Sequence, residues 1–144
     1  MNEIDEVQLV VYGVPVPKAR PRVVNGHAFT PDKTKKQEEK IGLVYKSKYG
    51  QFRFEEGVPL RIVVGVYLPV PKSTSKKKRD AMVRGEILPV GHVGDVDNYT
   101  KLVMDALLQL AYKDDCQIVD LSGSKRWGIE PRTEIYIARL DYDQ

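Results

Sequence analysis

A single cysteine, Cys116, stands in the 144-residue sequence, so no intrachain disulfide can form. One cysteine in a strand-like context reads as a small buried hydrophobe rather than a nucleophile, and it suits a reducing cytoplasm. Long apolar runs are missing as well: none approaches the roughly 18 residues of a membrane span. The acidic start, MNEIDEVQLVV, lacks the positive n-region of a signal peptide. A cytoplasmic protein with no membrane partner is therefore expected. There is no CxxC pair and no HExxH, which argues against a common zinc site. No glycine-rich phosphate loop follows a strand, which removes the Rossmann and P-loop readings, and no internal repeat is present. What remains, at 42% hydrophobic and 30% charged residues, is an ordinary globular chain with one core, expected to be a single domain over 1–144.

Taken in order, Val7 to Val14 is an apolar run of high β-propensity ending at Gly13 and Pro15, a first strand. From Pro15 to Pro31 prolines and glycines are too frequent for regular structure, and Lys18, Arg20 and Arg22 alternate. On an extended backbone these cations aim one way, which suits a phosphate backbone. Asp32 to Tyr49 reads as a helix with an Ile41, Val44, Tyr45, Tyr49 stripe and many lysines elsewhere. Pro17 to Arg53 holds ten Lys/Arg against Asp32, Glu38 and Glu39, a net of +7. Leu60 to Leu68 is a second strand closed by Pro69 and Pro71. Lys72 to Gly85 follows, with six basic residues against Asp80. A short helix after Ser73 or Ser75 would crowd Lys76, Lys77, Lys78 and Arg79, so a mobile basic flap that orders on nucleic acid is one reading and a solvated hairpin the other. Near the end, Cys116 to Arg126 and Thr133 to Leu140 read as strands of an antiparallel hairpin turning at Gly128 and Pro131, with Trp127 as a core or hairpin plug. Strands and helices mix without regular βαβ alternation, so the expected class is α+β: a small mixed sheet with two main helices.

The densest chemistry lies between Gly94 and Asp120. Six aspartates (Asp95, Asp97, Asp105, Asp114, Asp115 and Asp120) face only Lys101 and Lys113, a net of −4 within a chain whose formal charge is +3. Carboxylate oxygens are the ligands of hard cations such as Mg2+. Asp95 and Asp97 leave one face of an extended backbone. A helix is expected from Asp97 or Asn98, its apolar face made by Val103, Ala106, Leu107 and Leu110, with Lys101 and Asp105 on a more polar face. A break at Lys113-Asp114-Asp115 precedes the next strand. One fold can bring Asp95, Asp97, Lys101 and the Asp114–Asp115 pair together, a set suited to metal-assisted attack on a phosphodiester. The competing reading makes Asp97 an N-cap, Lys101–Asp105 a helical pair and Asp114–Asp115 a solvated turn.

The combined pattern, D-x-D-N-x-x-K-x-x-x-D-A-L followed by D-D-x-Q-I, resembles the signature of the RusA family of Holliday-junction resolvases. Asp95, Asp97, Asn98, Lys101, Asp105, Ala106, Leu107, Asp114, Asp115, Gln117 and Ile118 match it, and Lys125 fits a basic residue often found downstream. Gly94, with His92 nearby, departs from the proline or basic residue that many members carry there. The PxPKxRPR-like stretch with its Phe29-Thr30-Pro31 exit also resembles a subgroup of RusA-like proteins from Gram-positive bacteria and their phages.

The resemblance implies a homodimeric, Mg2+-dependent endonuclease that nicks four-way DNA junctions in recombination and repair, with Mn2+ as a substitute metal. Asp95, Asp97 and Asp115 are then the expected metal ligands, Asp114 an alternate ligand or local orienter, and Lys101 the group that stabilises developing negative charge. Asp105 and Asn98 are expected in supporting roles. Lys18, Arg20, Arg22, Lys76, Lys77, Lys78, Arg79 and Lys125 are the expected DNA contacts. A four-way junction is approximately two-fold symmetric and needs two nicks, which also favours a C2 dimer of single-site chains. The alternative from another class is a non-catalytic nucleic-acid-binding domain. A nuclease of the PD-(D/E)xK type lacks its Asp/Glu-x-Lys pair near Asp115.

Overall fold

The computed structural model of the chain describes residues 4–19, 22–29, 31–91 and 94–140. Four strands form its main sheet: β1 (Glu6–Tyr12), β4 (Leu60–Pro69), β5 (Ile118–Gly128) and β6 (Arg132–Arg139). They lie in the order β1-β6-β4-β5, with β1–β6 and β6–β4 antiparallel and β4–β5 parallel. Two long helices, α1 (Asp32–Tyr49) and α3 (Val96–Leu107), pack on one face, and an eight-residue helix, α2 (Lys76–Val83), packs beside β5. This is the expected α+β class with a mixed sheet.

Strand β4 takes a central place because its alternate residues Leu60, Ile62, Val64, Val66 and Leu68 are all buried. Beside it Ile135 and Ile137 of β6, and beyond them Val7, Leu9 and Val11 of β1, belong to the same core. That core closes against Ile41 and Tyr45 of α1 and Leu102, Val103 and Leu107 of α3. Each such side chain, moved fully out of water, stabilises the fold by about 1.5–3 kcal/mol.

The final hairpin is not formed. Strand β6 runs antiparallel three residues after β5, but β4 lies between them. Strand β4, with one face of alternate residues fully buried, is paired on both edges, and its parallel pairing with β5 is made possible by the long α2–α3 crossover. Trp127 remains packed against the core. The first strand stops at Tyr12 rather than Val14, and Gly13 then adopts φ +115°.

The proline-rich loop is also more ordered than expected. It contains a small hairpin, β2 (Arg22–Val24) with β3 (His27–Phe29), turning at Asn25 and Gly26, both with positive φ. The basic segment forms α2 rather than an open hairpin. Ser75 caps it by accepting the Lys78 N–H at 3.4 Å, and buried Met82 pins it down. Cys116 is exposed, in a 3-10 turn over Asp115–Gln117, and not a buried strand residue. Among the described residues no helix is long and apolar enough to cross a membrane.

Two lysines of α1 serve the fold. Lys40 Nζ donates to the Tyr12 carbonyl, Lys48 Nζ donates to the Gln8 carbonyl at 2.7 Å, and the Tyr49 hydroxyl accepts the Gln8 N–H at 2.9 Å. Together they satisfy the outer edge of β1, which would otherwise invite another strand.

Candidate active site

Helix α3 is capped two residues earlier than Asp97, the first N-cap that the sequence suggests. Asp95 is its N-cap, in an extended conformation with φ −85° and ψ 143°, yet its side chain makes no capping hydrogen bond. Asp97 therefore lies inside the first turn and caps nothing. Its own carbonyl accepts the Thr100 hydroxyl at 2.8 Å. Helical spacing of Tyr99, Thr100, Leu102, Val103, Ala106 and Leu107 buries one face, leaving Asp95, Asp97 and Lys101 exposed on the other. The helix ends at Leu107, short of Leu110, because the chain reverses through Gln109 at φ +70°.

Strand β5 runs along this helix. A Cβ at Gly123 would stand 2.6 Å from Thr100 Cγ2 and 3.2 Å from Val96 Cγ2, so glycine permits a close approach. At the other end of the helix the Tyr112 hydroxyl donates to the Met104 carbonyl at 2.6 Å. Burial raises the Tyr112 pKa, and the negative charges of Asp115 and Asp105 raise it further, so both carboxylates lie near this ring. Asp105 and Asp115 thus lie on either side of the junction between α3 and the turn that enters β5.

The six aspartates separate into two groups. Asp105 Oδ2 pairs with Lys18 Nζ at 3.1 Å, and Asp120 Oδ2 pairs with Arg61 at 3.0 Å. Asp114 caps the 3-10 turn by accepting the Cys116 N–H at 2.9 Å, a hydrogen bond that holds its carboxyl below the usual carboxylate range. The carboxylates of Asp95, Asp97 and Asp115 have no cation and no N–H partner among the described residues, that of Asp115 meeting only the Asp114 side chain. Nor does Lys101 have an ion-pair partner there. These are the four residues expected to carry catalysis.

Their side chains do not converge as closely as expected. Among the described residues the one group of three potential ligands within 4.8 Å of one another is Asp114, Asp115 and Cys116. Asp95 and Asp97 stand outside it. Exposed like charges stay apart in water, since drawing them together costs Coulomb energy that only an interposed cation offsets. Hydrogen bonding to Asp114, and then that residue's charge, raises the Cys116 pKa, so the group offers a neutral thiol at neutral pH. The donor set is carboxylate oxygen, which fits a hard divalent cation and does not fit a thiophilic one.

The expected DNA contacts divide as well. Lys18 Nζ is held between Asp105 and Glu38, at 3.1 and 3.2 Å. Burial alone lowers its pKa, but the hydrogen bonds to Asp105 and Glu38 outweigh that and leave it raised. Lys18 N also donates to the Asn98 carbonyl at 2.9 Å, so this residue docks the loop onto α3 rather than meeting solvent. Lys125 Nζ donates to the Gly94 carbonyl at 2.8 Å, steadying the chain immediately before Asp95. Lys76, Lys77 and Lys78 are exposed on α2, with Arg79 beside them. Arg20 and His92 lie outside the described residues, as does the Arg22 side chain.

Gly94 has a physical reason to depart from proline or a basic residue. Its φ is +79°, and a Cβ there would meet Tyr99 at 3.2 Å and Pro17 at 3.3 Å. A residue given no role from sequence also emerges: buried Gln117, three positions after Asp114. The spacing D-x-x-Q is that of a capping box, and the reciprocal bonds are present.

A profile of the family described as endodeoxyribonuclease RusA matches residues 13–138. The chain is also 42% identical over 145 aligned residues to the uncharacterized protein YqaN of Bacillus subtilis (strain 168), covering 95% of this chain and 99% of that protein. The match takes in helices α1, α2 and α3, the six aspartates between Gly94 and Asp120 and every strand of the sheet but β1, and on that extent the chain belongs to the RusA endodeoxyribonuclease family.

Proposed function

We propose that the protein is a Mg2+-dependent, structure-specific endodeoxyribonuclease that resolves four-way DNA junctions by paired symmetric nicks, as a homodimer, in recombination and repair. One observation carries this reading: of the six aspartates between Gly94 and Asp120, those whose carboxylates have no cation or N–H partner among the described residues are Asp95, Asp97 and Asp115. Those three carboxylates would hold the metal, with Asp114 fixing the turn beside Asp115. A divalent cation bound there supplies a lowered pKa for water and neutralises charge on the non-bridging phosphate oxygens; Mn2+ satisfies the same oxygen donors.

Hydrolysis joins the water oxygen to phosphorus and breaks the bond to the 3′ oxygen, which leaves with a proton. The products are a 5′-phosphate and a 3′-hydroxyl. Lys101, one helical turn after Asp97, places a cation where charge develops on the phosphate or the leaving oxygen. Phosphate binding falls to Lys76, Lys77, Lys78 and Arg79, together with Arg20 and Arg22. Lys18 and Lys125 instead position the loops around the carboxylates.

The test is cleavage of a synthetic four-way junction against linear duplex, in Mg2+ and in EDTA, by the native chain and Asp97→Asn. Symmetric Mg2+-dependent nicks on the junction alone, lost in the variant, are expected. Tight junction binding without cleavage in Mg2+ or Mn2+ would favour a binding module. Equal cutting of linear duplex would keep the metal site and remove the junction specificity. Sedimentation of the free protein checks the dimer, whose two copies match the two strands to be nicked.

A further inference from the structure

We propose that Gln117 is a positioning residue for the metal site, fixing the turn that presents Asp115; the inference rests on the metal reading above. Gln117 is 7% exposed, and its amide uses its full hydrogen-bonding capacity. Its Oε1 accepts the N–H groups of Lys113 and Asp114, each at 3.2 Å. Its Nε2 donates to the carbonyls of Glu55, at 2.9 Å, and Val58, at 3.2 Å. Two donors therefore face two carbonyls and two acceptor sites face two N–H groups, an arrangement that fixes the amide's orientation.

The consequence falls on the neighbouring acids. The Gln117 side chain ties the peptide units of Lys113 and Asp114 to the loop before β4. Its own N–H bonds back to the Asp114 carbonyl at 3.0 Å, and Asp114 Oδ1 takes the Cys116 N–H. Both residues flanking Asp115 are thus held through backbone and side chain, while the Asp115 carboxylate is left exposed. No other common side chain reproduces the set. Glutamate keeps the acceptor but turns a negative oxygen toward two carbonyls, and methionine takes the partner from the Lys113 and Asp114 N–H groups and the Val58 carbonyl, leaving Glu55 only the Val58 N–H. Gln117 touches neither phosphate nor metal in this arrangement; it acts through the turn.

Gln117→Glu and Gln117→Met separate this role from general stability. Mn2+ binding to the free protein is measured by calorimetry, alongside melting temperature, junction affinity in EDTA, and the Mg2+ dependence of cleavage. Loss of a residue that orients a metal ligand is expected to weaken Mn2+ binding by about 10-fold or more. The Mg2+ concentration for half-maximal cleavage should rise in step, while the rate at saturating Mg2+ and junction affinity in EDTA stay near native. A folded variant that binds Mn2+ as tightly as the native chain would overturn the proposal. If the Met variant does not fold, the Glu variant decides; if neither folds, Gln117 is a fold-wide anchor and the proposal fails. Asp115→Asn is the control: undiminished Mn2+ binding there would sink the metal reading itself, whatever Gln117 does.

Discussion

At the scale of single residues, the aspartates differ in which charges are left over once their partners are counted. The aspartates of the central stretch look alike in sequence, and a cap, a helical pair and a turn account separately for Asp97, Asp105 and Asp114–Asp115. Only three-dimensional partners separate them. Lys18 comes from a loop 87 positions before Asp105, and Arg61 reaches Asp120 across the β4–β5 pairing. The spacing of Asp95, Asp97, Lys101 and Asp115 suggested a chemical set, but the neutralisation of Asp105 and Asp120 was not legible. Lys125 illustrates the same limit. A basic residue after the motif reads as a phosphate ligand, whereas here it is half-buried and donates to Gly94. Lys125→Met is therefore expected to slow junction cleavage by roughly 10-fold, since small displacements of catalytic groups are costly. Junction affinity in EDTA should change less than about 2-fold, because the cations that meet phosphate are left in place. A weaker affinity with an unchanged cleavage rate would return Lys125 to the DNA interface.

At the scale of elements, the long patterns of α1 and β4 were read correctly and remote pairings were not. Helix α1 covers Asp32–Tyr49 as its apolar stripe indicates, and β4 follows its alternation. The expected β5–β6 hairpin failed because a short connection says nothing about which strand lies between. The approach of β5 to α3 was likewise hidden, since Gly123 carries no local turn signal. Its role appears only against Thr100, whose hydroxyl also bonds the Asp97 carbonyl. Gly123→Ala would place a methyl group 2.6 Å from Thr100 Cγ2, so a stability loss of about 1–3 kcal/mol is expected. Thr100→Ser removes that methyl and keeps the hydroxyl. The double variant should then recover much of the loss, and the coupling is read from denaturant midpoints in a double-mutant cycle. Additive effects would mean that the helix and strand accommodate the methyl elsewhere.

For the whole molecule the question is how a chain with exposed carboxylates approaches a polyanion. Its formal charge is only +3, so the distribution of charge has to decide the outcome. Part of the basic inventory is already committed: Lys18 to Asp105 and Glu38, Lys40 and Lys48 to the edge of β1, and Lys113 to Glu56. The run Lys76-Lys77-Lys78-Arg79 is different. Helix α2 holds it beside β5, the strand that also carries Lys125 toward Gly94, and Lys76, Lys77 and Lys78 have no ion-pair partner among the described residues. Lysines crowded on a short helix repel one another, an unfavourable choice unless a polyanion relieves it. Replacing Lys77 and Lys78 by glutamine should therefore leave the melting temperature unchanged or slightly raised. Junction binding in EDTA should weaken, and the slope of log affinity against log salt should become shallower by about 0.9 for each phosphate that is no longer neutralised. The counterpart exchange, Lys35 and Lys36 of α1 to glutamine, measures whether that helix shares the interface. If the α2 exchange leaves the slope intact and the α1 exchange flattens it, DNA lies across α1, and α2 is a solvated face.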